Sequence, residues 1–461
     1  MIVNRKFRRK ILEIKNVFDE EGIRNIATKT KFTQRESKFD SIKFLKLCVF
    51  SDDGLCKNSL SKLCTLIQKT EKTSITTEGL NLKFNSKSVE FLKEILLNLL
   101  SKQDNMFETT LNSVKNKFKK IRIMDSTHYS LPDNFKDKYV GNGGSASEAA
   151  AKIHLEYDLL TGAFLNLKVT SGTKNDADYM LDIIHTVDEG DLCLRDLGYY
   201  SMYCFDKLVQ KKAFFISKIK STTCLYSTNP EYRCYSTYSG EKKEESFKID
   251  IKKVLEPLEE GQIIELSDIQ IGKTHKINSR VIVTKLLEKV KEERRMRREF
   301  RAKKNKVKNS NPSLDGANVY MTNIPSDVID RNLIYKIYSL RWQIELIFKV
   351  WKSQFEIHVV NKVKIERYEC FIYGKLISLL LGSVLINLAD NKFRMKENNE
   401  LSTYKSYNVI RTYLSDLRLK IFSKENEFLK LIELILNDIF TNGRKAKRNS
   451  KLTPRDILKL I

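Results

Sequence analysis

A chain of 461 residues has room for two to four domains, and 41% hydrophobic residues are enough to bury a real core. Eighty-three Lys and Arg against 58 Asp and Glu leave a formal charge of +25, which favours a polyanionic partner, nucleic acid first; the charge is spread along the whole chain, which argues against one amphipathic helix lying on an anionic membrane. The eight cysteines form no Cys-x-x-Cys pair and no zinc-ligand spacing with histidine, so they read as reduced thiols of a cytosolic protein rather than as a disulfide framework or a structural metal site.

The first residues, MIVNRKFRRKILEIKN, are basic but lack the apolar run of a signal peptide. Residues 1–105 carry helical spacing. Leu60, Leu63, Cys64 and Ile67 repeat along one face behind a cap at Asn58 or Ser59. TTEGLNLKFN makes a second short helix, and Ser88 to Ser101 a long one with Val89, Leu92, Leu96 and Leu99 on one side. Helix, short turn, helix in a basic region fits a helix-turn-helix-like DNA reader, with an ordinary helical bundle as the alternative.

From Lys119 the period changes. KKIRIMDS reads as a strand ending at Asp125, and AKIHLEYDL and AFLNLKVT as a hairpin around Leu160-Thr161-Gly162. NDADYMLDIIHTV opens on an Asn cap as a helix, DLCLRDLGYY is a strand ending at Asp196, and a helix at SMYCFDKLVQKK leads to the strand AFFISKIK. Hairpins followed by crossovers predict a mixed sheet in an α/β fold. Residues 218–320 read as a β-rich insertion with the strands QIIELSDIQIG and SRVIVTKLL and a strongly basic helix from Lys285 to Lys308, before the strand NVYMTNIP. Asp327 to Gln354 reads as one long helix. Leu376 to Leu388 is too short to span a bilayer and contains Gly382 and Ser383, so it reads as a buried helix. Further amphipathic helices and a basic tail, GRKAKRNSK, follow.

At 100° per residue, the helix IYKIYSLRWQIELIFKVWKSQ aligns Tyr338, Arg341, Glu345, Lys349 and Lys352 in a stripe roughly 80° wide, beside an apolar face of Ile337, Leu340, Ile344, Ile347 and Trp351. A plain amphipathic helix shows the same segregation. The spacing from Tyr338 through Arg341 and Glu345 to Lys352 resembles the Tyr-Arg-Glu-Lys signature of the DDE transposases of insertion-sequence family four. IMDSTHYSLP around Asp125 and LRDLGYYS around Asp196 resemble the first and second aspartate motifs of that family, and AKIHLEYDLLTG and KNDADYM agree with it. The likeness extends over residues 57–455.

That resemblance implies a ribonuclease-H-like mixed-sheet catalytic core in residues 106–217 and 321–395, interrupted by the β-rich insertion 218–320. A DNA-binding helical region, 1–105, would precede it, and a helical region, 396–461, able to pair protomers would follow. It also implies that Asp125, Asp196 and Glu345 are both catalytic residues and metal ligands. Three convergent carboxylates repel one another, which divalent ions reverse; oxygen ligands suit Mg²⁺, with Mn²⁺ as a substitute, and two ions per site. By the same resemblance Arg341, Lys349 and Lys352 hold phosphates and Tyr338 meets a backbone phosphate. Trp342 reads first as a core residue, with stacking on a displaced base as the alternative. His128 reads as a loop or packing residue, and Asp176 and Glu156 as structural carboxylates held in reserve. The implied partners are double-stranded DNA, both transposon ends and target, and a second copy of the chain in the DNA complex, with no membrane. The implied place is the cytoplasm and nucleoid of a bacterium or archaeon. The implied reaction is cut-and-paste transposition through hairpin ends. The competing readings are a metal nuclease of similar fold and an inactive or repurposed transposase that only binds DNA.

Overall fold

The change of period near Lys119 marks the start of strand β1 (Ile121–Leu131), and among the described residues nine more strands follow: β2 (Ala149–Asp158), β3 (Phe164–Ser171), β4 (Leu192–Arg195), β5 (Phe214–Lys218), β6 (Leu225–Ser227), β7 (Phe247–Ile249), β8 (Ile263–Ile271), β9 (Ile277–Lys285) and β10 (Ala317–Thr322). The computed structural model describes residues 5–51, 54–107, 112–144, 146–236, 246–305, 314–393, 400–446 and 452–461. The expected end of the basic helix, 306–308, and the tail residues 447–451 lie outside them. The chain divides into two compact units: Met1–Thr110 with Asp125–Lys174 and Gln343–Lys451, and Leu111–Met124 with Asn175–Trp342 and Leu452–Ile461.

The first unit is built on the helix Ile365–Phe393. Its length and composition would allow a membrane span, but 89% of its most apolar window is buried, which makes it a core helix. Two glycines permit this burial. A Cβ on Gly374 would stand 2.3 Å from the Cys48 carbonyl oxygen, and one on Gly382 would stand 2.5 Å from the Tyr407 ring. Polar contacts tie the N-terminal helices to the same element: Arg367 Nε donates to the Leu55 carbonyl at 2.9 Å, and Lys375 Nζ to that of Ser51 at 3.2 Å. The hairpin of β2 and β3 belongs here, turning at Gly162 with φ +88°. In this unit the strand order is β3-β2-β1.

In the second unit the order is β1-β4-β5-β10-β9-β8-β6-β7. The pairs β1–β4 and β4–β5 are parallel and the rest antiparallel, so the sheet is mixed as expected. All four residues of β4 are buried, three apolar residues followed by Arg195, as in a strand covered on both faces. Arg122 and Asp191 form a buried ion pair at 2.9 Å, and Arg122 also donates to the Thr186 carbonyl at 2.7 Å. Removing either partner would leave an unpaired buried charge at a cost of roughly 3–5 kcal/mol.

Two expectations need correction. β1 does not end at Asp125 but continues to Leu131, with only Ile121–Ile123 paired to β4. The single helix expected from Asp327 to Gln354 is two helices, Arg331–Ser339 and Gln343–Ser353, joined by a 3-10 turn at Leu340–Trp342. The Ser339 hydroxyl donates to the Lys336 carbonyl at 2.6 Å, the acceptor that the next helical amide would use. The Leu340 amide bonds instead to Ile337, and the turn tightens.

Candidate active site

Asp196 is the first residue after β4, so its side chain emerges where a fully buried strand leaves the core. Parallel pairing sets Arg195 opposite Ser217, and therefore brings Asp196 and Lys218, one residue further on, to adjacent strand ends. Tyr338 arrives from the helix Arg331–Ser339, started by the Asp330 cap, whose side chain accepts from the Asn332 amide at 2.8 Å. The Tyr338 phenol donates to Asp196 Oδ1 at 3.4 Å, and Arg341 Nε lies 3.8 Å from the same oxygen. The Tyr338 ring packs on Tyr320 with centroids 5.1 Å apart. Lys218 Nζ stands 5.9 Å from the Tyr338 ring centroid and 6.0 Å from that of Tyr320.

Burial pushes the Tyr338 phenol up and the Asp196 charge adds to this, so Tyr338 stays a donor beyond the ordinary tyrosine value of about 10. Burial pulls the Lys218 ammonium down, Arg294 and Arg341 adding to this and Asp196 opposing it. The Arg341 side chain is only 13% exposed against 41% for Asp196, so the guanidinium is held within the wall while the carboxylate faces out. Among the described residues both polar contacts of Asp196 fall on Oδ1, which leaves Oδ2 for a further ligand.

Glu345, Lys349 and Lys352 lie on the second helix, Gln343–Ser353, in the other unit. Its buried face is Ile344, Ile347, Phe348, Val350 and Trp351, and Trp351 packs on Phe164 at 5.9 Å and Phe348 at 5.4 Å. Lys352 Nζ donates to the His128 carbonyl at 3.0 Å, on the strand that carries Asp125 three residues earlier. Burial pulls Lys352 below the usual lysine range. Asp125 Oδ1 accepts from the Ser126 amide at 2.8 Å. Lys349 is exposed, its Nζ 6.0 Å from the centroid of the Tyr404 ring.

The expected residues thus fall into two sets: Asp196, Tyr338 and Arg341 in one unit, Asp125, Glu345, Lys349 and Lys352 in the other. Among the described residues no three His, Cys, Asp or Glu side chains are grouped so as to hold an ion as they stand. Trp342 was expected first in the core and is 57% exposed. Even at a regular 100° per residue Trp342 falls about 40° from Tyr338, beside the polar stripe and opposite Ile344 and Trp351, so its exposure follows from its place on the helix rather than from the turn. Glu156 is fully buried and accepts from Asn166 Nδ2 at 2.7 Å, and Asp176 is the first residue of the helix Asp176–Ile183.

Residues 116–381, more than half of the chain, match the family described as "Transposase DDE domain". The chain is 38% identical over 461 residues to the transposase for insertion sequence element IS1151 of Clostridium perfringens, covering 100% of this chain and 98% of that one. The chain belongs to the DDE transposases of insertion sequences. The transposase is also 36% identical over 445 residues to that of element IS231E of Bacillus thuringiensis subsp. finitimus, covering 95% of this chain and 92% of that one. Among solved structures, a piggyBac transposase synaptic complex with hairpin DNA is similar with a TM-score of 0.46 and 10% identity, covering 96% of this chain and 87% of that one.

DDE transposases are DNA cleavage and strand-transfer enzymes that work with divalent ions. The donors offered by this transposase are carboxylate oxygens, with Asp196 Oδ2 open to a ligand, and hard oxygens of this kind suit Mg²⁺. Lys218 is the neighbour of the transposase's Asp196 that sequence reading missed; the parallel register of AFFISK beside LCLRD is the signal that places it there.

Proposed function

We propose that this transposase binds the inverted-repeat ends of an insertion sequence and cuts and joins DNA with Asp125, Asp196 and Glu345 as its catalytic carboxylates. The observation that carries this reading is the setting of Asp196: an outward carboxylate at a strand end, with the Tyr338 phenol, the Arg341 guanidinium and the Lys218 ammonium arranged around it. Three cation or donor groups around one carboxylate suit a site where a phosphodiester and its counterions meet. The fold reading that goes with it is a ribonuclease-H-like core, 106–217 and 321–395, interrupted by the insertion 218–320.

The three carboxylates would hold two Mg²⁺ ions, or Mn²⁺, which when bound activate the attacking oxygen and stabilise the leaving one. Arg341 and Lys352 would orient phosphate oxygens, Arg341 through its planar fork and Lys352 as a point charge. Tyr338 keeps its proton and donates a hydrogen bond through it to Asp196; at a backbone phosphate of the cleaved end that single hydrogen bond would pass to the phosphate oxygen. Lys349 would add a further phosphate contact and Trp342, exposed, a face for a displaced base. Cleavage releases a 3′-hydroxyl. That hydroxyl attacks a phosphodiester of the opposite strand to give a hairpin, water then opens the hairpin and restores the 3′-hydroxyl, and the restored hydroxyl attacks the target, one P–O bond forming as one breaks at each step.

Residues 1–105 would read the ends, and two copies of the chain would bridge them through the helical region 396–461. The helix Glu288–Asn305 supports an added phosphate track. Arg294 pins it, donating to the Ala317 carbonyl at 3.0 Å and to Asn318 Oδ1 at 2.8 Å, while Arg295 and Arg297 stay 56% and 76% exposed. The protein would work in the cytoplasm, on the nucleoid. A strand-transfer assay with precut ends tests the reading: joined product is expected. Hydrolysis without joining would make it a nuclease, and binding without either would make it a DNA-binding protein only.

A further inference from the structure

The loop after the helix Glu20–Lys29 is held at both ends. Lys31 adopts φ 59°, and the amides of Phe32 and Thr33 return to the Ala27 carbonyl at 2.9 and 3.0 Å. Phe32 packs between Phe44 at 4.9 Å and Phe91 at 5.1 Å, and Phe39 is buried where the loop ends. Lys43 Nζ donates to the Lys38 carbonyl at 2.6 Å. The exposed residues Arg35, Glu36, Ser37 and Lys38 are therefore presented between two aromatic anchors.

This loop forms one wall of a cleft of about 630 Å³, with Arg24 and Lys83 on the other walls. Its charged lining is Arg24, Arg35, Lys38 and Lys83 against Glu36 and Asp40, four cations to two acids, a net of +2. Asp40 is already committed. Its Oδ2 accepts from Arg24 at 3.0 Å, and its Oδ1 from the Lys43 amide at 3.0 Å as the cap of the helix Ser41–Val49. Arg35, Lys38 and Lys83 remain against Glu36 alone. Burial pulls the Lys83 ammonium down, Asp40 opposes this and Arg35 adds to it, and the lining as a whole keeps more cations than acids. Lys83 is held in place, 5.7 Å from the centroid of the Phe32 ring and with its Nζ donating to Ser37 Oγ at 3.5 Å. A cleft lined by hydroxyls and an excess of cations offers the groups that meet phosphate and sugar oxygens of a DNA backbone.

We propose that this cleft of Arg35, Lys38 and Lys83 seats backbone phosphates of the DNA that the transposase handles. It is a positioning contact that carries no sequence information. The proposal rests on the reading of residues 1–105 as a DNA-binding region and names the part of it that grips the backbone.

The test uses the full-length protein, with Arg35→Ala and Lys83→Ala combined. Binding is measured by mobility shift to a duplex with the element's own end and to an unrelated duplex, over a range of salt. Losing two phosphate contacts lowers the salt slope by about 1.8 and, at about 0.15 M salt, lowers affinity on the order of thirtyfold, equally for both duplexes. The Arg35→Lys, Lys83→Arg variant keeps both charges and retains binding, which separates lost charge from lost fold. An unchanged affinity and slope overturns the proposal, and so does a loss confined to the element's own end. A photocrosslinker at Ser37, in the cleft, and another at exposed Thr77, on the helix Thr77–Lys83, divide the two claims. Crosslinking to DNA from Ser37 supports the cleft. Crosslinking from Thr77 alone overturns the cleft and leaves the region's role standing, and crosslinking from neither overturns both.

Discussion

The two helices of the Tyr-Arg-Glu-Lys segment are built on opposite plans. The helix Arg331–Ser339 sends its reactive groups into a wall: Tyr338 is 6% exposed, stacked on Tyr320, and bonded to Asp196. The helix Gln343–Ser353 buries only its apolar side and leaves Glu345 half-buried and Lys349 exposed. The tryptophans differ as well: Trp351, on the second helix, is fully buried, while Trp342, in the 3-10 turn just before that helix, is 57% exposed. One segment therefore combines side chains packed into a wall with side chains that face outward, and the 3-10 turn at Leu340–Trp342 is where the change occurs.

That contrast can be broken at five positions. Glu345→Gln should lower end cleavage by about a thousandfold or more while end binding holds, the pattern for a residue of a catalytic set acting as a unit; retained cleavage in a gel assay would remove Glu345 from that set. Trp351→Ala should cost roughly 3–5 kcal/mol in a denaturant melt, because a large buried ring leaves a cavity. Tyr338→Phe, which keeps the ring and loses the bond to Asp196, should slow cleavage about tenfold, the worth of a hydrogen bond to a charged group. Lys352→Ala should lower the salt slope of binding by about 0.9, one phosphate contact. Trp342→Ala should leave stability within about 0.5 kcal/mol, as for exposed positions elsewhere; a loss as large as that at Trp351 would erase the distinction between the two helices.

Much of this was legible from local pattern. The hairpin β2–β3, the Asn175 cap, the strand before Asp196 and the buried helix around Leu376–Leu388 all follow from hydrophobic period and capping residues, and all are found. What was not legible depends on which surfaces meet. Lys218 lies beside Asp196 only because β4 and β5 pair in one particular register. The N-terminal helices share a compact unit with Ile365–Phe393 because Arg367 and Lys375 reach carbonyls more than 300 residues away and Gly374 lets Cys48 approach, contacts that no periodicity encodes. The break after Ser339 is a local matter: its hydroxyl shares the Lys336 carbonyl and the Leu340 amide bonds to Ile337, a choice that hydrophobic period does not encode.

The proposed role of Asp125, Asp196 and Glu345 is to serve DNA cleavage as ligands of divalent ions. Replacing each in turn by cysteine and following cleavage of a labelled end in Mg²⁺ and in Mn²⁺ tests it directly, because a thiolate is a poor partner for the harder ion and a better one for the softer. All three variants should be inactive in Mg²⁺ and regain activity in Mn²⁺. Full Mg²⁺ activity in any one of them would show that its carboxylate is not a ligand.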